Sequence, residues 1–178
     1  MKIHLLVSSL VAASLFVGCS KQESAPSAAP APASSAVAAS TSTPAAAQAA
    51  AGARVITIHA GDTMKFDVTS IEAKPGEEIK VVLKNVGTQP KEIMGHNWVL
   101  LKAGVDAQAF SMAATSAKAS DYIPESFKDQ VIVHTKLLGP NESEEITFKA
   151  PSAPGDYPFV CSFPAHFLVG MKGVLTVK

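Results

Sequence analysis

Cys161, His166 and Met171 follow one another at intervals of five residues near the end of the chain. A further histidine, His96, stands 65 residues before the cysteine in a Met94-Gly95-His96-Asn97 turn. A thiolate, two imidazoles and a thioether make a ligand set suited to copper. Cu(I) prefers soft sulfur and Cu(II) prefers imidazole nitrogen, so a site mixing both holds either ion with little rearrangement. That is what one-electron transfer needs, and four protein donors leave no open position for a substrate. Taken singly, Cys161 reads as a small buried hydrophobe and Met171 as core filling. Only the combination points to a metal, and the thiol must lose its proton to take part, so copper binding weakens as pH falls.

Donors so far apart in sequence need a rigid frame, and the pattern from Arg54 onward supplies one. The runs 55–59, 65–68, 79–83, 98–101, 131–133, 145–148 and 173–177 are rich in β-branched residues and are separated by Gly, Pro, Asn and Asp turns. Alternation is clear where Ile79, Val81 and Leu83 interleave with Lys80 and Lys84, and again through Ile146 and Phe148. One face of each strand is therefore buried, and the whole predicts an antiparallel two-sheet sandwich or barrel. Residues 105–125 break the pattern and predict a short helical flap. Asp156 to Val160 form a strand running into the loop that carries Cys161, His166 and Met171. Pro158 shapes that strand and Pro164 stiffens the loop. Trp98 reads as a core aromatic beneath the His96 turn.

The 178 residues hold 15 basic and 15 acidic side chains, which excludes the basic excess expected of a nucleic-acid binder. Residues 1–18 read as a signal peptide: a weakly positive start, an apolar stretch from Ile3 to Val17, and Gly18 before Cys19. The apolar run is shorter than the roughly 20 residues that span a bilayer, and the junction resembles a lipobox, which predicts lipid attachment at Cys19. Residues 19–53 are almost wholly Ala, Ser, Pro, Thr and Gln, a composition that buries too little apolar surface to fold and predicts a disordered tether. The expected location is the bacterial envelope, with the domain anchored at the outer membrane on its periplasmic or outer face. Two cysteines in such different contexts are not expected to pair.

Three separated stretches resemble azurin, a blue-copper cupredoxin: Met94-Gly95-His96-Asn97-Trp98-Val99-Leu100, Val133-His134-Thr135-Lys136-Leu137-Leu138-Gly139, and Cys161-Ser162-Phe163-Pro164-Ala165-His166 with Met171-Lys172-Gly173. The resemblance covers residues 54–178 and implies a Greek-key β-sandwich with one type 1 copper. It implies His96, Cys161 and His166 in a trigonal plane, Met171 as weak axial ligand and the Gly95 carbonyl opposite. Asn97 and the Phe163 amide would tie the ligand loops together and hydrogen-bond the sulfur. Met94, Ala165, Phe167 and Leu168, with Phe163, would form an apolar collar around His166 for docking redox proteins such as c-type cytochromes or copper and haem reductases, the chain itself being a monomer.

The sequence also departs from the family pattern. Four residues separate His166 from Met171 where azurins usually have three, as in the azurin-like auracyanins. The azurin disulfide is missing, and Asn85 stands where azurins often carry a pH-sensitive histidine. His59 and His134 have no soft ligand nearby and read as structural. The rival reading is a copper chaperone or buffer, which would require an open, exchangeable site. An oxidase would need a second metal site, for which five histidines, one of them His4 in the signal, are too few.

Overall fold

The computed structural model describes residues 52–178. The signal peptide, Cys19 and nearly all of the tether lie outside the described residues. Among the described residues, eight strands form two sheets. The first has the order β1 (Arg54–Ala60), β3 (Glu78–Asn85), β6 (Ser143–Lys149). The second runs β2 (Ser70–Ala73), β8 (Lys172–Val177), β7 (Gly155–Val160), β4 (Val99–Leu101), β5 (Val131–His134). The architecture is the predicted β-sandwich.

Pairing is not uniformly antiparallel. β1 runs parallel to β3 and β2 parallel to β8, the remaining ladders being antiparallel. The expected strand over 65–68 is also corrected. Only Phe66 bridges, to Ala60, and the second strand is Ser70–Ala73. The alternation at Phe66 is real, since Phe66 is buried, but Met64 adopts a left-handed φ of 52° just before it and the chain turns instead of extending a ladder.

Ile58, Ile79, Val81, Leu83, Trp98, Leu100, Phe159 and Leu175 fill the space between the sheets. Trp98 is fully buried, its ring 5.3 Å from Phe159 and 6.0 Å from Phe148 between centroids. The continuous apolar run of β4 has a physical reason: its two faces meet different cores. Leu100 points into the sandwich, whereas Val99 and Leu101 pack with Phe110, Ile123, Val160 and Phe167. Phe110 comes from the helix of the flap, α2 (Ala107–Ala114), whose start Asp106 caps by accepting from the amides of Gln108 at 2.9 Å and Ala109 at 3.0 Å.

The sandwich closes tightly near the site. A Cβ on Gly173 would overlap the Phe159 ring and the Thr69 carbonyl. Gly173→Ala is therefore expected to destabilise the domain by about 3 kcal/mol, the upper range for overpacking, read as a lowered denaturation midpoint. An unchanged midpoint would mean that this strand crossing is looser than its geometry.

Candidate metal centre

His96 enters the centre from the end of a short helix, α1 (Lys91–Met94), through Gly95. A Cβ at Gly95 would stand 2.7 Å from the Lys91 carbonyl and 2.8 Å from Leu137 Cγ, so only glycine lets the chain turn this closely. His96 then pairs with Leu138 through reciprocal backbone hydrogen bonds of 3.1 and 2.8 Å. The next turn is fixed by Thr135, whose hydroxyl accepts from the Trp98 amide at 2.9 Å.

The other donors come from the loop between β7 and β8. Its two ends are stitched together: the Cys161 amide donates to the Met171 carbonyl at 3.1 Å, and the Met171 amide to the His166 carbonyl at 2.9 Å. Cys161 Sγ lies 3.4 Å from His166 Nδ1, and the rings of His96 and His166 have centroids 5.0 Å apart. One donor atom from each of His96, Cys161 and His166 falls within 4.8 Å of the others, and all three residues are buried. Met171 is fully buried in the same core as Cys161 and Phe163.

Burial sets the electrostatics. It pushes both imidazoles down to about 4, with Asp62 opposing the shift at His96 and His96 reinforcing it at His166. Burial also pushes the Cys161 thiol up to about 12, against the pull of the Asn97 and Phe163 backbone amides. Neither ring nitrogen of His96 makes a hydrogen bond of good geometry, although the nearby Gly61 backbone also favours its protonated form. A neutral imidazole has one N–H to donate and one lone pair to give, and leaving them unsatisfied in a sealed core is costly unless a metal ion takes the lone pair. A soft thiol and two neutral imidazoles suit copper, so the residues present fit that ion.

Asn97 holds the two loops in register. Its Oδ1 accepts from the Ser162 amide at 2.8 Å, and its Nδ2 donates to Ser162 Oγ at 2.7 Å and to the Asp121 carbonyl at 3.0 Å. Asp121 and Ser162 are contributors that the sequence reading missed. Asp121 acts through its main chain there, and its carboxylate accepts from the Leu137 amide at 3.2 Å. Asp121 and Tyr122 both have left-handed backbones, and Tyr122 lies edge-on to Phe163 at 5.1 Å. Phe163 in turn packs on His166 at 4.7 Å.

The collar residues divide. Leu168 is 70% exposed, Ala165 is exposed and Met94 partly so, whereas Phe167 is only 9% exposed and packs in the flap core with Lys172 Nζ 4.3 Å above its ring. His166 itself is 2% exposed. His59 pairs with Asp67, and His134 Nδ1 lies 3.0 Å from the Thr135 carbonyl, so neither joins the donor group. Asn85 is buried, its Nδ2 donating to the Leu138 carbonyl at 3.1 Å and its Oδ1 accepting from the Gly87 amide at 2.8 Å.

A sandwich presenting a buried thiol and two imidazoles from its loop end defines a copper-binding cupredoxin. The family described as copper binding proteins, plastocyanin/azurin family, matches residues 53–178, and the chain belongs to it, of azurin-like type. Its cofactor is copper. Azurin of Bordetella pertussis is 39% identical over 123 residues, spanning 67% of this chain and 81% of that protein. Outer membrane protein H.8 of Neisseria gonorrhoeae is 38% identical over 130 residues, 71% of this chain and 69% of that one. Reduced auracyanin from the photosynthetic bacterium Roseiflexus castenholzii is 40% identical in sequence, with a TM-score of 0.63 over 71% of this chain and 99% of its own.

Proposed function

We propose that this chain is a type 1 copper protein that shuttles single electrons between redox partners in the bacterial envelope. The observation that carries the reading is the convergence of one buried thiol and two buried imidazoles, one of them with neither nitrogen in a hydrogen bond of good geometry. His96, Cys161 and His166 would hold the copper, with Met171 and the Gly95 carbonyl as further, weaker donors to it. Copper would supply the one-electron couple. The protein supplies a frame that does not change shape: Asn97 locks the loops together, the Cys161 and Met171 backbones are joined, and the Asn97 and Phe163 amides stabilise sulfur as thiolate. The enclosed donors favour a carrier over a chaperone, which must exchange its ion, and leave no place for a substrate.

The exposed side of the His166 loop, with Ala165, Leu168 and the edge of Met94, is the docking face for a partner such as a c-type cytochrome or a copper or haem reductase. Phe167 supports that face from beneath. Attachment through a lipid on Cys19, with residues 20–53 as tether, would place the domain at the outer membrane. Similarity to outer membrane protein H.8 supports an envelope setting.

Titration of the purified domain with cupric salt tests the reading. One equivalent should produce an intense blue or green colour, and a colourless, redox-silent product defeats it. Met171→Leu should keep copper bound but raise the reduction potential, because losing a donor destabilises the more positive ion more. Voltammetry giving an unchanged potential would move the axial role elsewhere.

A further inference from the structure

The arm between β1 and β2, where patterning anticipated a strand, touches both ligand-bearing segments from outside. Its base is pinned by His59 and Asp67: Nδ1 and Oδ2 lie 2.6 Å apart, the His59 amide donates to Asp67 Oδ1 at 2.7 Å, and the Asp67 amide donates to the His59 carbonyl at 3.2 Å. Phe66 anchors it in the core, 5.8 Å from the Phe159 ring. Its tip is a turn in which the Met64 amide donates to the Gly61 carbonyl at 2.9 Å with Met64 left-handed. A non-glycine residue held there costs on the order of 1 kcal/mol, so the surrounding contacts must enforce it.

Asp62 reaches toward the His96 side. Its carboxylate accepts from the Thr88 amide at 3.0 and 3.1 Å, from the Thr88 hydroxyl at 2.8 Å and from the Gln89 amide at 3.4 Å. Those residues lead directly through Pro90 and α1 into Gly95 and His96. Lys65 reaches toward the other side. Its ammonium donates to the Val169 carbonyl, and a Cβ on Gly170 would stand 2.6 Å from Lys65 Nζ, so the lysine occupies the space that glycine leaves. Val169 and Gly170 belong to the segment joining His166 to Met171, the stretch one residue longer than usual in azurins.

We propose that Asp62 and Lys65 are positioning residues for the metal centre: the arm sets the separation of the two ligand loops, and its two charges bias the centre in opposite directions. The inference rests on the ligand assignment above. Hydrogen bonds from Thr88 hold the Asp62 carboxyl below the usual carboxylate range, so it carries its charge throughout the working pH range. An anion favours the cupric form and lowers the potential, whereas a cation raises it. Both side chains are exposed, so salt should mute the effect.

The test uses the copper-loaded protein with Asp62→Ala, Asp62→Asn and Lys65→Met, measuring reduction potential at low and high ionic strength and copper release to a chelator. The potential should rise in both Asp62 variants and fall in Lys65→Met, with all shifts shrinking in salt. Release should quicken about 5- to 10-fold in Asp62→Ala and Lys65→Met, the loss of one charge-assisted hydrogen bond each, and stay near the parent rate in Asp62→Asn, which keeps an acceptor oxygen. Shifts of the same sign in Asp62 and Lys65 variants would mean simple loosening and would overturn the proposal, as would potentials and release rates matching the parent. If the parent itself takes up no copper, the ligand reading falls and this inference with it. A parent that binds one coloured equivalent beside unchanged variants overturns the arm alone.

Discussion

Cys161→Ser should fold, bind copper weakly if at all, and show no intense visible band. The band of a blue centre needs a thiolate bonded to the cupric ion. A serine hydroxyl offers a hard, neutral oxygen whose proton is far harder to displace. The substitution is close to isosteric in a fully buried position, and the Asn97 and Phe163 amides that face the sulfur can face the hydroxyl instead. The cost to folding should therefore be about 1 kcal/mol, the scale of one altered buried hydrogen bond, while the optical effect is complete. Parallel denaturation curves and absorption spectra of the two proteins separate these effects. A strong band surviving in the serine variant would remove Cys161 from the centre and leave the converging donors without an explanation.

Much of that donor group was legible in the chain because Cys161 and His166 share one short loop. Cys161, His166 and Met171 recur at a fixed interval after an alternating strand, and a loop of that length can turn them inward together. His96 was legible for a different reason: Gly95 before it and the apolar run after it mark a tight turn entering a buried strand. Asn97 could be assigned only through family resemblance, and the structure gives the physical cause, since its amide satisfies Ser162 and the Asp121 carbonyl at once.

What stayed hidden was non-local. The role of Asp121 is carried by a main-chain carbonyl 24 residues from Asn97, and no side-chain type announces that. The parallel pairing of β1 with β3 and of β2 with β8 leaves no mark in local alternation, which fixes the buried face of a strand but not its neighbour's direction. Ser70-Ile71-Glu72-Ala73 contains one β-branched residue in four, so the edge strand it forms was overshadowed by the more hydrophobic Phe66 segment. That segment became the arm that bridges the ligand loops, because the His59 and Asp67 contacts close its base while Met64 turns its tip.

The metal-free protein should lose stability steeply as pH falls from 7 to 5, earlier than carboxylate protonation can account for. Burial holds His96 and His166 neutral down to about 4, whereas an unfolded chain protonates them near 6.5. Between those values the unfolded state binds more protons, so stability rises with pH through the window and is lost on acidification. Linkage of this size is worth on the order of 3 kcal/mol for the pair, after discounting for solvent screening and for the coupling between the two rings. Asp67 and Glu77 act lower. Their hydrogen-bonded carboxylates lie below the ordinary values of 3.8 and 4.5, so the stability they contribute is present above those values and disappears only beneath them. Cys161 produces the opposite flank: with its thiol pushed up from 9.0 to about 12, the unfolded chain ionises first and stability falls as pH rises above 9. Urea midpoints of the metal-free domain at pH 7, 6 and 5 should therefore descend. A variant carrying His96→Gln and His166→Gln should flatten that descent while keeping the acid loss below pH 4.5. Equal midpoints at pH 7 and 5 in the parent would mean that the imidazoles reach water in solution, and the sealed site inferred from their burial would not hold.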